Sequence, residues 1–163
     1  MDADLARDQI AEALRTVAAQ YPSRLVGTGT DALRRRPTPT TWSALEYATH
    51  VSDLLRVQHE LVTATLDCRE PRFGSMPPES RAVEQHDDQP DPVAVGRELG
   101  SAAESLAALF ESLGGHDGQR TGRHQSVPTP ELVSIGRRTV HELVHHLLDI
   151  NRSIQPTPGS ASG

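Results

Sequence analysis

The chain reads as an all-α protein, a four-helix bundle. Three observations predict this. Four stretches repeat apolar residues at helical spacing. Three of them open on helix start signals. No segment alternates polar and apolar residues well enough to be a strand.

Helix 1 is expected from Asp4 to Gln20, with Leu5, Ile10, Leu14 and Val17 as its stripe. A polar connection follows, ending in Arg36-Pro37-Thr38-Pro39-Thr40-Thr41. Helix 2 opens on Trp42-Ser43-Ala44-Leu45-Glu46. Ser43 is the cap, Glu46 its capping-box partner, and Trp42 a staple onto Tyr47. The pattern continues to about Asp67, roughly 37 Å of helix. An irregular stretch from Cys68 to Pro90 is long enough to recross that distance if extended, which permits helices 2 and 3 to run parallel. Helix 3 starts at Asp91-Pro92, a cap followed by proline at the first helical position. It runs through Leu99, Leu106, Leu109 and Phe110 to the Gly114-Gly115 stop, with Gly96 and Gly100 either weakening it or allowing close packing. Thr129-Pro130 is expected to start helix 4 in the same way. Residues 1–154 form the bundle domain, and the low-complexity tail 155–163 is expected to be disordered.

Composition narrows the function. A chain of 163 residues buries one sizeable core. Net charge is -6 and no basic run exceeds Arg34-Arg35-Arg36, which argues against nucleic acid as a partner. Aromatic residues make up 3%, too few for a base-stacking platform. No apolar signal core or membrane-spanning run is found, so no membrane partner is expected. Cys68 has no second cysteine to pair with, as in a reduced, cytoplasmic protein.

The chemistry concentrates in His141-Glu142-Leu143-Val144-His145-His146-Leu147-Leu148-Asp149-Ile150 on helix 4. Two pairs of metal-ligand residues sit one turn apart there, His141 with His145 and Glu142 with His146. His141 to His145 matches H-E-x-x-H, the zinc-protease motif. That reading needs a third, usually downstream ligand, and after Asp149 the chain offers only Asn151, Arg152, Ser153 and a Pro/Gly/Ser tail. Helical phase places the apolar face on Leu132, Val133, Val140, Leu143, Val144, Leu147 and Ile150. His146 and His141 flank it at similar angles, so periodicity does not choose. The neighbours favour Glu142 and His146, which share their side with Ile135, Thr139 and Ile150. His141 and His145 share theirs with Arg137 and Arg138, which prefer water. A fully solvated polar face is the plain alternative.

A third ligand should come from another helix. His50 lies on the seam Tyr47, His50, Leu54, Val57, Leu61 of helix 2. Asp53, one turn on, is placed either to orient that ring or simply to face water. His59, His86, His116 and His124 lie off the seam or in loops.

These segments resemble the DinB-like family, which includes YfiT-like proteins and mycothiol-dependent maleylpyruvate isomerases. The resemblance rests on Trp42-Ser43-Ala44-Leu45-Glu46-Tyr47-Ala48-Thr49-His50-Val51-Ser52-Asp53 and on Glu142-Leu143-Val144-His145-His146-Leu147-Leu148-Asp149-Ile150. It implies an up-down-down-up bundle with a long crossover between helices 2 and 3, and a divalent metal in its cavity. The mycothiol-using branch has a His followed by Glu-x-x-x-His-x-x-Asp. Carried onto this chain, the ligands are His50, Glu142 and His146, supported from behind by Asp53, Asp149 and His145. The pair His141 and His145 remains the alternative metal site. The resemblance also admits a homodimer through helix faces.

The expected function is a metal-dependent transferase or isomerase that joins a small-molecule electrophile to a low-molecular-weight thiol such as mycothiol, through a metal-bound thiolate, in detoxification or small-molecule metabolism. Zinc suits the ligands first, and nickel, iron or manganese also fit. Arg120 or Arg123 is the expected contact for an anionic substrate group. The alternatives are a metal-dependent hydrolase of small esters or amides and a non-catalytic metal-binding bundle in stress response.

Overall fold

Capping chemistry sets where the long helices begin. A computed structural model describes residues 7–68, 90–124 and 127–155. Helix α1 covers Arg7–Ala18, α2 Gln20–Val26 and α3 Thr30–Arg34. The long helices that follow are α4 (Ala44–Leu66), α5 (Pro92–Glu111) and α6 (Leu132–Ser153). Ser43 and Glu46 form the expected capping box at α4, with Ser43 N donating to Glu46 Oε2 at 2.8 Å and Glu46 N to Ser43 Oγ at 3.2 Å. Trp42 packs on Tyr47 with ring centroids 5.3 Å apart. Asp91 caps α5 through Ala94 N at 2.9 Å, with Pro92 in its first turn.

Three expectations need correction. The connection after helix 1 is not simply polar coil: it folds into α2 and α3, which bury Tyr21, Leu25 and Leu33. Helices of seven and five residues are too short for apolar periodicity to stand out. Helix 4 begins at Leu132, two residues beyond Pro130. Thr129 serves the preceding loop instead, its hydroxyl accepting from Gly122 N at 2.7 Å and its own N–H donating to the Gly122 carbonyl at 3.0 Å. That same loop holds a two-residue antiparallel ribbon, Arg123–His124 (β1) against Val127–Pro128 (β2), too brief for alternation to register. Leu5, His86, most of the Cys68–Pro90 stretch and nearly all of the tail lie outside the described residues.

Side-chain contacts fix the direction of each helix. Arg7 reaches the Leu113 carbonyl, while Arg15 pairs with Glu104 and Glu111, so α1 and α5 are antiparallel. Arg56 pairs with Glu98, and Leu66 at the end of α4 accepts from Arg120, beyond the end of α5, so α4 and α5 are parallel. Ser153 donates to the Trp42 carbonyl, and His146 lies against His50, so α4 and α6 are antiparallel. The course is up-down-down-up. Helices α1 and α4 lie diagonally, each packed between α5 and α6. No described helix is long and apolar enough to cross a membrane.

The core joins Ile10 and Leu14 of α1, Val51 and Leu55 of α4, Leu99, Leu106 and Phe110 of α5, and Leu143 and Ile150 of α6. Val144, assigned above to the apolar face, instead sits on the exposed side of α6. Gly136 lets α6 approach α1 and α5 closely. A methyl there would lie 2.7 Å from Phe110 Cζ and 2.8 Å from Ile10 Cγ2. Glu46 is buried and its carboxylate serves both the capping box and Arg36, whose Nε lies 2.9 Å from Oε2. Burial pushes this carboxyl up, but hydrogen bonds from Arg36 and Ser43 outweigh it and hold the group below the usual carboxylate range.

Two outcomes are expected. Gly136→Ala gains about 1 kcal/mol of helix propensity, but overpacking against two rigid side chains costs about 1–3 kcal/mol. The loss should win, lowering stability by about 1 kcal/mol in a denaturant titration; a stabilised variant would contradict the close approach. Glu46→Gln should cost about 2–3 kcal/mol at neutral pH, because Arg36 loses its charged partner. A carboxyl with a depressed folded pKa stabilises above its unfolded pKa and loses that contribution as pH falls through the folded value. The gap between wild type and Glu46→Gln should therefore close on acidification below about pH 4, measured as unfolding midpoints across pH.

Candidate metal centre

Helix α6 presents its polar residues in two directions. His141 and His145 are exposed, their rings stacked with centroids 6.4 Å apart. Glu142 is one-third exposed, and the His146 side chain keeps 14% of its surface. The turn of the helix explains the split. Ile135, Thr139 and Ile150 are buried on the side of Glu142 and His146.

His146 is held between two carboxylates. Its Nδ1 lies 3.3 Å from Asp149 Oδ2, and its Nε2 lies 3.8 Å from Glu142 Oε2. Where Nδ1 donates to the Asp149 carboxylate, the neutral ring keeps its Nε2 lone pair on the Glu142 side. Asp149 is itself shared, with His145 Nε2 at 3.5 Å and Arg152 Nη1 at 3.3 Å. The site thus has an orienting network before any ligand is considered.

His50 meets this pair from α4. Its ring stands edge-on to His146 at 89°, with centroids 5.2 Å apart. Trp42 packs on the other side of His50 at 5.2 Å, and Tyr47 packs on His146 at 5.6 Å. Desolvation, followed by the nearby Asp149 and Glu46 carboxylates, pushes the Tyr47 phenol up. Asp53 is partly buried, with its Oδ1 3.9 Å from Arg56 Nη1.

The seam carrying His50 is the border of the core, not its centre. Leu54 is buried, whereas Tyr47, Val57 and Leu61 are only partly so. It forms one wall of a cavity of about 440 Å³ between α4 and α6. His50 and Glu142 line the cavity, with Leu54, Leu61 and Ile135 as apolar wall and Gln58, Thr139 and Arg138 as polar groups. This volume suits a small molecule. Arg138 corrects the phase argument made from sequence: it sides with Glu142, one turn away, not with His141. The i,i+4 spacing from Arg138 to Glu142 was the available signal.

Arg120 and Arg123 line a different cavity, of about 600 Å³, with Thr65, Cys68 and Gly122. Arg120 Nη2 donates to the Leu66 carbonyl at 2.9 Å and lies 3.1 Å from Cys68 Sγ. This cavity sits at the end of α4 remote from His50. Sequence reasoning also passed over Tyr21, which is fully buried and donates to the Leu143 carbonyl at 2.6 Å, tying α2 to the helix that carries the polar cluster.

Two imidazoles and a carboxylate form a donor set suited to a divalent ion. The spacing is slightly open. Two donors on one tetrahedral ion lie roughly 3.3 Å apart, against 3.8 Å between His146 Nε2 and Glu142 Oε2. Among the described residues no group of three or more His, Cys, Asp or Glu stands at metal-holding spacing. The donor types and the oriented His146 suit an ion, with the donors standing wider apart than an ion would hold them.

Among solved structures, the fold is similar to YfiT from Bacillus subtilis, described as a probable metal-dependent hydrolase with an unusual four-helix bundle topology. The match has a TM-score of 0.74 at 17% identity and covers 94% of this chain and 90% of that one. At that identity it establishes the fold. No curated protein matches the chain. The sequence model of the DinB superfamily matches residues 13–150, a span that holds His50, Glu142, His146 and Asp149, and the chain therefore belongs to the DinB superfamily.

Proposed function

We propose that this chain is a divalent-metal-dependent enzyme for small molecules, with His50, Glu142 and His146 as the metal ligands. One observation carries the reading: His146 is oriented by Asp149 so that its other nitrogen lies on the side of Glu142, edge-on to His50. A divalent ion held there would act as a Lewis acid that lowers the pKa of a coordinated thiol or water. The residues of the chain do the rest. Asp149 keeps His146 in the ligating tautomer. Trp42 and Tyr47 flank the two imidazoles and limit the water that reaches them. Leu54, Leu61 and Ile135 give the substrate an apolar surface beside the ligands.

The leading reaction is transfer of a low-molecular-weight thiol, such as mycothiol, to an electrophile. It is supported by the His50, Glu142-x-x-x-His146-x-x-Asp149 pattern and by the position of Cys68, which lines the other cavity. Hydrolysis of a small ester or amide is the second reading, favoured by the likeness to YfiT, a probable metal-dependent hydrolase. Both readings use the same ligands and differ in the nucleophile.

Elemental mass spectrometry tests the ligand set. Wild type should carry about one divalent ion per chain, and Glu142→Ala with His146→Ala should carry none. Metal kept by the double variant would move the site to His141 and His145. Asp149→Asn should weaken metal binding by about 10–100-fold, read by competition with a chromogenic chelator. Turnover of an electrophile panel should depend on added thiol; full ester or amide hydrolysis without thiol would replace transfer by the second reading.

A further inference from the structure

The α4–α6 groove contains a cation that no described residue neutralises. Arg15 is held by Glu104 and Glu111, Arg56 by Glu98, and Arg152 by Asp149, whereas Arg24, Arg35 and Arg97 make no ion pair with a described residue and lie outside the groove. Arg138 makes no ion pair or hydrogen bond with any described residue, yet it lines the cavity beside Glu142. Glu142 is one turn away, in the spacing that ordinarily forms a helical ion pair. Its carboxylate lies instead on the His146 side, 3.8 Å from Nε2. Arg138 is exposed, and the groove therefore offers one solvent-facing guanidinium beside the Glu142 carboxylate.

We propose that Arg138 selects the substrate by seating its carboxylate, with the aliphatic part of the molecule on Leu54, Leu61 and Ile135. The inference rests on the reading of this groove as the substrate site. Guanidinium matches a carboxylate in a bidentate fork. A monoanion is neutralised by one arginine, whereas a phosphate dianion would need a second cation, and no other Arg lines the cavity. Arg138 and Glu142 stand roughly 6 Å apart at their Cβ atoms. An acid seated on Arg138 would have Leu54, Leu61 and Ile135 as apolar wall, with Glu142 and His50 lining the same cavity. Gln58 supplies a hydrogen-bonding group along the way, whereas the Thr139 hydroxyl is already donated to the Ile135 carbonyl at 2.8 Å. Arg138 acts here as a specificity residue and not as part of the reacting centre.

The test is binding of hexanoate against its uncharged counterpart hexanamide, followed through the methyl NMR signals of Leu54, Leu61 and Ile135. It is run at about pH 8, well above the usual carboxylic-acid range, on protein as purified and after chelation. Hexanoate should bind about tenfold more tightly than hexanamide in both states. Arg138→Ala should abolish that preference and Arg138→Lys should keep part of it. Arg24→Ala, which removes an exposed arginine outside the groove, should leave it intact. Equal binding of the two probes to wild type, or a preference that survives Arg138→Ala, would overturn the proposal. The chelated protein separates this result from the metal assignment: a chain that holds no metal but prefers hexanoate loses the ligand set and keeps Arg138.

Discussion

Ser153 closes the α4–α6 pair at one end by donating its hydroxyl to the Trp42 carbonyl at 3.1 Å. Beyond that bond runs a stack of rings: Trp42 on Tyr47 and His50, Tyr47 on His146, and His146 on His50. The antiparallel register of α4 against α6 depends on this clamp, and the site depends on the register. A slip of one residue would shift α6 by about 1.5 Å and turn its side chains by roughly 100°. His145 would then take the place of His146, and Glu142 would leave the groove. Gly136 enforces the same register from the other side of α6, because its missing side chain is what admits Phe110 and Ile10.

Helix α4 divides its duties between two faces. Ala44, Ala48, Val51 and Leu55 are fully buried and belong to the core. His50, Gln58 and Leu61 are only partly buried and border the cavity. The stabilising contacts therefore lie behind the functional residues and not among them. The buried Glu46–Arg36 pair fastens the start of α4 one turn before His50. Tyr21 reaches α6 at Leu143, next to Glu142, without entering the groove. Exposed pairs such as Arg15 with Glu104 and Glu111 add little, since water screens them. The groove can accordingly tolerate polar and unpaired groups that a core could not.

What the sequence made legible was local chemistry. Ser43, Glu46 and Trp42 announce the start of α4, and Asp91-Pro92 that of α5, because capping uses residues within one turn. The tertiary consequences were harder to read. Thr129 resembles a cap, but Gly122 takes its hydroxyl. Val144 fits the apolar period of α6, yet no helix covers that side. Tyr21 lies in a short helix whose burial depends on partners far along the chain. On α6 itself, phase could not separate His141 from His146, since both flank the apolar stripe. Burial of Ile135 and Thr139, which needs the other helices, distinguishes the two sides.

The separation of the two cavities constrains the chemistry further. Cys68 follows the far end of α4, roughly 25 Å along the helix from His50. Its thiol faces Arg120 Nη2 in the second cavity and does not line the one that holds His50 and Glu142. No serine, cysteine or lysine other than Ser134 lines the α4–α6 groove. Ser134 lies two turns from Glu142 on the same helix, with no His beside it to act as a base. A covalent mechanism through a protein nucleophile is therefore poorly supplied in this groove. The attacking group has to arrive with the small molecules, as a thiol or as water. The helices contribute the ligand donors, the orienting Asp149, an apolar wall and one guanidinium.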